Sequence, residues 1–241
     1  MRHVALFDLG DTLMHPLGDW PATLERADHA LAESLAAAGL PLEVDSFHQE
    51  LTQTLKHYYR KRDRLQIETS IFRVVRELLE KKGHLDPPPA LIQQALRARY
   101  AITQQNWQLE DDSLACLSAL REKGLRLGLV SNAGDHQDVL DLTQKFGIAH
   151  FFDLILTSAA CGFRKPNPRI FEQALAHWKI SPNQALMVGD RLDTDIAGAK
   201  ALGIYAVWLT RRTLRPALID PLPDAEIASL AELPALCGAS L

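Results

Sequence analysis

The sequence predicts an α/β protein: a doubly wound parallel sheet, interrupted near its start by an all-α insert. Three observations carry this. From about residue 109 onward, short apolar runs alternate with helix-like stretches, the pattern of parallel strands covered on both faces. Residues 15 to about 108 instead place apolar side chains at a 3.6-residue period and hold no convincing strand. The apolar run Val4–Leu9, ahead of that stretch, reads as one more strand of the same sheet. The predicted core is therefore residues 1–14 with 109–241, and the predicted insert is 15–108.

Taken in order, the first insert helix is expected from about Pro21 to Ala38, with Asp19 as its cap and Gly39 as its stop. The second carries Phe47, Leu51, Leu55 and Tyr58; the third carries Ile67, Ile71, Val74 and Leu78 and ends near Gly83. Asp86 is expected to cap a fourth helix, with prolines in its first turn and Leu91, Ala95 and Leu96 on its apolar side. Beyond the insert, a helix over 112–123 stops at Gly124 and Leu125–Ser131 forms a strand. A helix over 135–145 precedes the strand Leu154–Thr157, a helix over 168–178 leads to Ala185–Gly189, and a helix over 195–202 leads to Ile204–Leu209. The segment DAEIASLAELPAL reads as a last edge strand and helix.

Composition narrows the function classes. A hydrophobic fraction of 47% and a charged fraction of 23% are those of an ordinary soluble domain, and 241 residues suffice for a full core. A net charge of −4 gives no electrostatic reason to expect nucleic acid as a partner. Cys116, Cys161 and Cys237 are scattered and lack CxxC spacing, which fits a reducing, cytoplasmic setting with neither a disulfide framework nor structural zinc. The apolar start is short and broken by Asp8, so no signal peptide is expected, and no membrane span is expected because no run approaches the roughly 18 apolar residues of a membrane helix.

In open parallel sheets, ligands sit outside the carboxyl ends of the strands. Those ends carry Asp8, the pair Ser131–Asn132, and Asp190. A carboxylate directly behind a buried strand is unfavourable unless it is paired or metal-bound. Singly, Asp190 or Asp195 is as easily a helix cap, Ser131 a loop hydroxyl and Lys165 a solvated lysine. Together they point to one crevice.

These residues resemble the haloacid dehalogenase-like hydrolase superfamily, over nearly the whole chain. FDLGDTL supplies Asp8 and Thr12 in the frame of the first motif, and Ser131 in LGLVSN fits the second. Lys165 in GFRKPNPRIF fits the third, and VGDRLDTDIAGAKALG supplies Asp190 and Asp195 of the fourth. The resemblance implies a Rossmann-like core with a helical cap of the C1 subtype, inserted straight after the first motif. It also implies a Mg2+-dependent phosphatase of a small phosphorylated metabolite that works through an aspartyl-phosphate on Asp8. An aspartate attacking an anionic phosphate needs a cation to hold both oxygens. Asp8 and Asp190 make a hard oxygen site suited to magnesium, with Asp195 holding a metal-bound water. Lys165 and Ser131, with Asn132 beside it, would bind the phosphoryl oxygens. Oligomeric state stays open between monomer and homodimer.

One position departs from the family pattern. The aspartate that usually sits two residues past the nucleophile, as proton donor and water activator, is Gly10 here, and Asp11 follows it. The family's magnesium takes the backbone carbonyl of this position, which glycine retains, so Gly10 stays in the expected metal set. Acid–base groups contribute about 10²–10⁴ in rate, so slow turnover is one expectation. Re-routing of the loop to bring Asp11 into the acid position is another. A scaffold that binds a phosphorylated ligand or partner without turnover is a third, and a 2-haloacid dehalogenase, which needs no such acid, is a fourth. The basic run Lys56–Arg64 reads as a polar helix face or a substrate clamp, and His15 and Trp20 as substrate, packing or hinge residues.

Overall fold

Apolar runs with no polar interruption are satisfied only when both faces of the strand are covered. In the computed structural model, which describes residues 2–213, 218 and 220–237, the chain forms two compact units: Met1–His15 with Gln108–Leu241, and Pro16–Trp107. In chain order, β1 (Val4–Phe7) and β2 (Met14–Pro16) precede α1 (Trp20–Ala37), α2 (Val44–Leu65), α3 (Ile71–Lys81) and α4 (Pro89–Gln105). There follow β3 (Trp107–Leu109), α5 (Ser113–Glu122), β4 (Arg126–Ser131), α6 (His136–Lys145), β5 (Leu154–Thr157), α7 (Ser158–Cys161) and α8 (Pro168–Trp178). The last elements are β6 (Ala185–Gly189), a π-helical turn over Leu192–Ile196, α9 (Ala197–Leu202), β7 (Tyr205–Leu209), β8 (Ala225–Ile227) and α10 (Leu233–Leu236).

Six strands form one sheet in the order β5-β4-β1-β6-β7-β8, every neighbouring pair parallel. β1 lies at the switch point between β4 and β6, with Phe7 in register with Leu129 on one side and Val188 on the other. Strand order reverses there, so the crevice at its carboxyl end opens onto Asp8. Val4, Leu6, Val130, Phe171, Met187 and Trp208 are fully buried in the core on one face of the sheet.

The other unit is helical. Leu31, Leu35, Phe47, Leu51, Val75 and Ile92 interlock in its core without measurable exposure. A buried ion pair, Arg99 Nε to Asp28 Oδ1 at 2.7 Å, ties α4 to α1. Asp19 caps α1 as expected, accepting from the Ala22 N–H at 3.1 Å.

Three local expectations fail. Asp86 does not cap α4: that helix starts behind Pro88 with no side-chain cap, while Asp86 takes a φ of 50° and accepts from Arg76 at 2.8 Å. Proline supplies the preset φ that opens the helix instead. Ile67 precedes α3, which begins at Ile71 under the Ser70 cap. Finally, β2 and β3 pair as a separate two-stranded ribbon where no strand was expected; each spans only three residues, too short for a periodic signal. No described helix is long and apolar enough to cross a membrane.

Candidate active site

The sheet delivers three of the predicted residues by position alone. Asp8 leaves β1, Ser131 ends β4 and Asp190 leaves β6. Carboxylate oxygens of Asp8, Asp190 and Asp195 lie within 4.8 Å of one another. Lys165 completes the group: its Nζ stands 2.7 Å from Asp8 Oδ1 and 2.7 Å from Asp195 Oδ1. All four are buried, Lys165 at 2% exposure, so water contributes little to screening them.

Each side chain is seated by its neighbours. The reciprocal pair from Asn132, whose Nδ2 donates to the Lys165 carbonyl (3.0 Å) and whose Oδ1 accepts the Lys165 N–H (2.8 Å), pins the lysine backbone beside β4. α9 packs closely on the same segment because position 198 is glycine: a Cβ there would sit 2.4 Å from Phe171 and 3.1 Å from the Pro166 Cα. Asp195 lies in the π-helical turn, where the Arg191 N–H donates to its Oδ2 at 3.1 Å. The turn widens the backbone locally, a feature often found at functional sites. The Asp190 carbonyl is held from β7 by Trp208 Nε1–H at 2.8 Å and from Thr213 Oγ1 at 3.1 Å. Thr12, fully buried, donates to Asp190 Oδ1 at 3.4 Å.

Charge is unevenly compensated. Lys165 bridges Asp8 and Asp195, leaving Asp190 with a hydroxyl alone among these neighbours. Burial, reinforced by the charges of Asp8, Asp195 and Asp11, pushes the Asp190 carboxyl up to about 8. Burial and the Asp8 charge likewise raise Asp195, against the opposing pull of Lys165. Burial would lower the Lys165 ammonium, but Asp195 and Asp8 outweigh it and hold it above the ordinary lysine range. A buried cluster of hard oxygen donors, short of positive charge at Asp190, is what Mg2+ suits. The donor set fits the ion.

Gly10 and Asp11 occupy the turn behind β1, which closes through the Leu13 and Met14 N–H groups on the Leu9 carbonyl (2.9 and 3.1 Å). Asp11 itself takes the left-handed conformation, φ 53°, which aspartate tolerates better than most residues. Burial raises its carboxyl, with Arg212 opposing and Asp8 adding to the rise. His15 lies outside the carboxylate cluster, with Nδ1 2.8 Å from Glu110 Oε1. Trp20 packs edge-on against Trp107, ring centroids 5.1 Å apart. Within the basic run, Arg62 lies over the Tyr59 ring at 4.2 Å and pairs with Asp63, which makes it a packing residue of its own unit.

One group escaped the sequence reading. Glu110, 6% exposed, accepts from Arg211 and Arg212 at 2.7 Å each, and Arg211 also contacts Asp112, which accepts from Ser229 Oγ at 2.6 Å. The two arginines stand just past the carboxyl end of β7, so the strand-exit rule that found Asp8 and Asp190 would have found them.

The fold agrees with the comparisons. The family model for haloacid dehalogenase-like hydrolases matches residues 3–203. A glyceraldehyde 3-phosphate phosphatase of Methanopyrus kandleri is 30% identical over 97% of this chain and 96% of its own, and a phosphoserine phosphatase of Thermus thermophilus is 35% identical over 67% and 62%. The crystal structure of a 2-haloacid dehalogenase from Pseudomonas syringae pv. Tomato DC3000 matches with a TM-score of 0.69 at 25% identity over 98% of both chains. That of a HAD phosphatase from Thermococcus onnurineus matches at 0.65 and 27% identity over 99% and 98%. With a matching model over residues 3–203, a relative 30% identical across almost the whole chain and a parallel six-stranded sheet, this chain belongs to the haloacid dehalogenase-like hydrolase family.

Proposed function

We propose that the protein is a Mg2+-dependent phosphatase of a small phosphorylated metabolite, acting through an aspartyl-phosphate on Asp8. Residues 1–14 and 109–241 then serve as the catalytic core and 15–108 as its helical cap. One observation carries this reading: a buried lysine 2.7 Å from two carboxylates, with a third carboxylate in the same cluster left short of positive charge. That is an arrangement for an anion and a divalent ion together. Phosphatase names on relatives that align across most of the chain support it.

The residues divide the work. Asp8 attacks phosphorus with a carboxylate oxygen; the new O–P bond forms as the bond to the leaving oxygen breaks. Lys165 and the Ser131 hydroxyl steady the phosphoryl oxygens, while the side chain of Asn132, engaged on Lys165, leaves its backbone N–H for the anion. Asp8, Asp190 and the Gly10 carbonyl would hold Mg2+, with Asp195 in the outer position set by its bond to Lys165. Bound there, the ion neutralises charge on the phosphoryl group. Water then attacks phosphorus as the Asp8 O–P bond breaks, its proton passing to the carboxylate that protonated the leaving oxygen, which releases phosphate and restores Asp8. The leaving oxygen needs a proton that Gly10 cannot give, and Asp11 is the carboxyl next in line.

Hydrolysis of p-nitrophenyl phosphate and a metabolite panel with Mg2+, including glyceraldehyde 3-phosphate and phosphoserine, tests this. Asp8→Asn is expected to abolish activity, and turnover that persists in it overturns the mechanism. Gly10 favours a second reading, a phosphoryl-binding protein with little turnover. Under the first reading, Gly10→Asp raises turnover if the missing carboxylate is limiting. Under the second, Mg2+ with beryllium fluoride binds at Asp8 yet no substrate turns over. Halide release from 2-haloacids without Mg2+ would instead point to a dehalogenase.

A further inference from the structure

α2 and α3 make a helical hairpin that is pinned at both ends and open between them. At one end the Lys82 ammonium contacts Glu50 Oε1. At the other, the Tyr58 hydroxyl contacts Glu68 Oε1 and accepts from the Thr69 N–H at 3.0 Å. Between these ties lies a cleft of about 780 Å³, inside the roughly 300–1,000 Å³ range of small-molecule sites.

Its walls are of two kinds. Val74 and Leu78, 5% and 4% exposed, give a buried floor, whereas Leu65 and Ile67, 46% and 48% exposed, form an apolar lip. Neighbouring large apolar side chains left in the open mark a surface that a ligand covers. Charge on the rim is one-sided. The two lining carboxylates are already matched, Glu50 by Lys82 and Glu77 by Arg73 Nε at 2.8 Å. Lys61 and Lys81 also line the cleft, both exposed, and among the described residues neither enters an ion pair with a carboxylate. Lys81 lies beside the Lys82–Glu50 tie, whereas Lys61 lies past Tyr58 at the end that carries the apolar lip, so that end of the trough is complementary to a molecule that is apolar at one end and anionic at the other.

We infer that this cleft binds a small amphipathic organic anion, its carboxylate or phosphate on Lys61 and its apolar body over Leu65, Ile67, Val74 and Leu78. The inference stands apart from the chemistry proposed at Asp8. The probe is 8-anilinonaphthalene-1-sulfonate, an amphipathic anion, titrated by fluorescence into the full chain beside its uncharged relative N-phenyl-1-naphthylamine. The expected result is one site that prefers the sulfonate. In Lys61→Glu, reversal of the nearby charge is expected to weaken sulfonate binding roughly tenfold. Ile67→Asp, at an exposed position, weakens it as well. Circular dichroism checks that both variants keep their helices. Displacement of the dye by octyl phosphate rather than octanoate, or the reverse, identifies the head group. No sulfonate binding, or equal affinity in wild type and both variants, overturns the inference.

Discussion

Gly189 is the residue whose substitution reads the site most directly, because it closes β6 against the side chain of Asp195. A Cβ at position 189 would lie 2.3 Å from Asp195 Oδ2, 2.5 Å from its Cγ and 2.6 Å from its Cβ. Contacts of that kind do not fall below 3.0 Å, so in Gly189→Ala the carboxylate must retreat by about 0.7 Å. No easy direction is open, since Asp195 has no exposure and its Oδ1 is 2.7 Å from Lys165. Loss of a charged hydrogen bond in a buried place costs roughly 1.5–3 kcal/mol and overpacking strain adds about 1–3 kcal/mol, so unfolding free energy should fall by about 3 kcal/mol. Lys165 loses one of its two anchors at the same time. A displacement approaching 1 Å at a catalytic group costs on the order of 10² in rate. Urea unfolding at pH 7 gives the first number, and hydrolysis of p-nitrophenyl phosphate with Mg2+ gives the second. A Gly189→Ala protein with wild-type stability would refute the reasoning, because it would mean that Asp195 has room to move within the buried cluster.

Three further outcomes follow from the charges. Asp190, pushed up to about 8, keeps a proton in the folded state that an unfolded aspartate releases near pH 3.9, so in EDTA stability is expected to fall as pH rises between about 4 and 8. At one fixed Mg2+ concentration, 100 times the Kd at pH 8, the ion should add about 2.7 kcal/mol there and raise the melting temperature more than at pH 5.5, where protonated Asp190 weakens binding; equal shifts would contradict this. Glu110 behaves in the opposite sense. Burial would raise its carboxyl, but hydrogen bonds from Arg212 and Arg211 outweigh it and hold it low. Its stabilisation is therefore complete above about pH 4.3 and lost as pH falls further, and Arg211→Ala should flatten that acid limb in urea titrations. In the helical unit, Arg99→Met strands the buried Asp28 carboxylate and should cost about 3–5 kcal/mol. Arg99→Met/Asp28→Leu should recover most of the loss, and a double variant as unstable as the single would show that the pair is not coupled.

How much of this was legible depended on whether the signal was local. Strand runs such as Ala185–Gly189 and Leu154–Thr157 were read to the residue, because each is a short apolar run between helical stretches, buried throughout in β6 and partly buried in the edge strand β5. Helices α1 and α8 were read to within a residue, where Asp19, and Asn167 with Pro168, mark their starts. Ile67 kept the period of α3 yet lies outside it, since hydrophobic spacing cannot tell a lining residue before a helix from one within it. Asp86 had the right residue type for a cap but sits in front of a proline run that starts the helix without one.

At the candidate site, the motifs named Asp8, Lys165, Asp190 and Asp195, which the fold brings together, but did not say how their charges are shared. Nothing in GFRKPNPRIF says that Lys165 is all but sealed from solvent; that follows from long-range contacts, the Asn132 clamp and the close approach allowed by Gly198. The same division explains Gly10. Its identity is visible in the chain and removes a carboxylate from the expected place, while the consequence depends on Asp11, whose left-handed backbone and Arg212 neighbour arise only once β1 and the segment after β7 are brought together. Because Arg212 also bonds Glu110, the charge facing Asp11 is set by residues more than 90 positions away in the chain. A substitution at Glu110 should therefore reach the turn after Asp8 without touching a single motif residue.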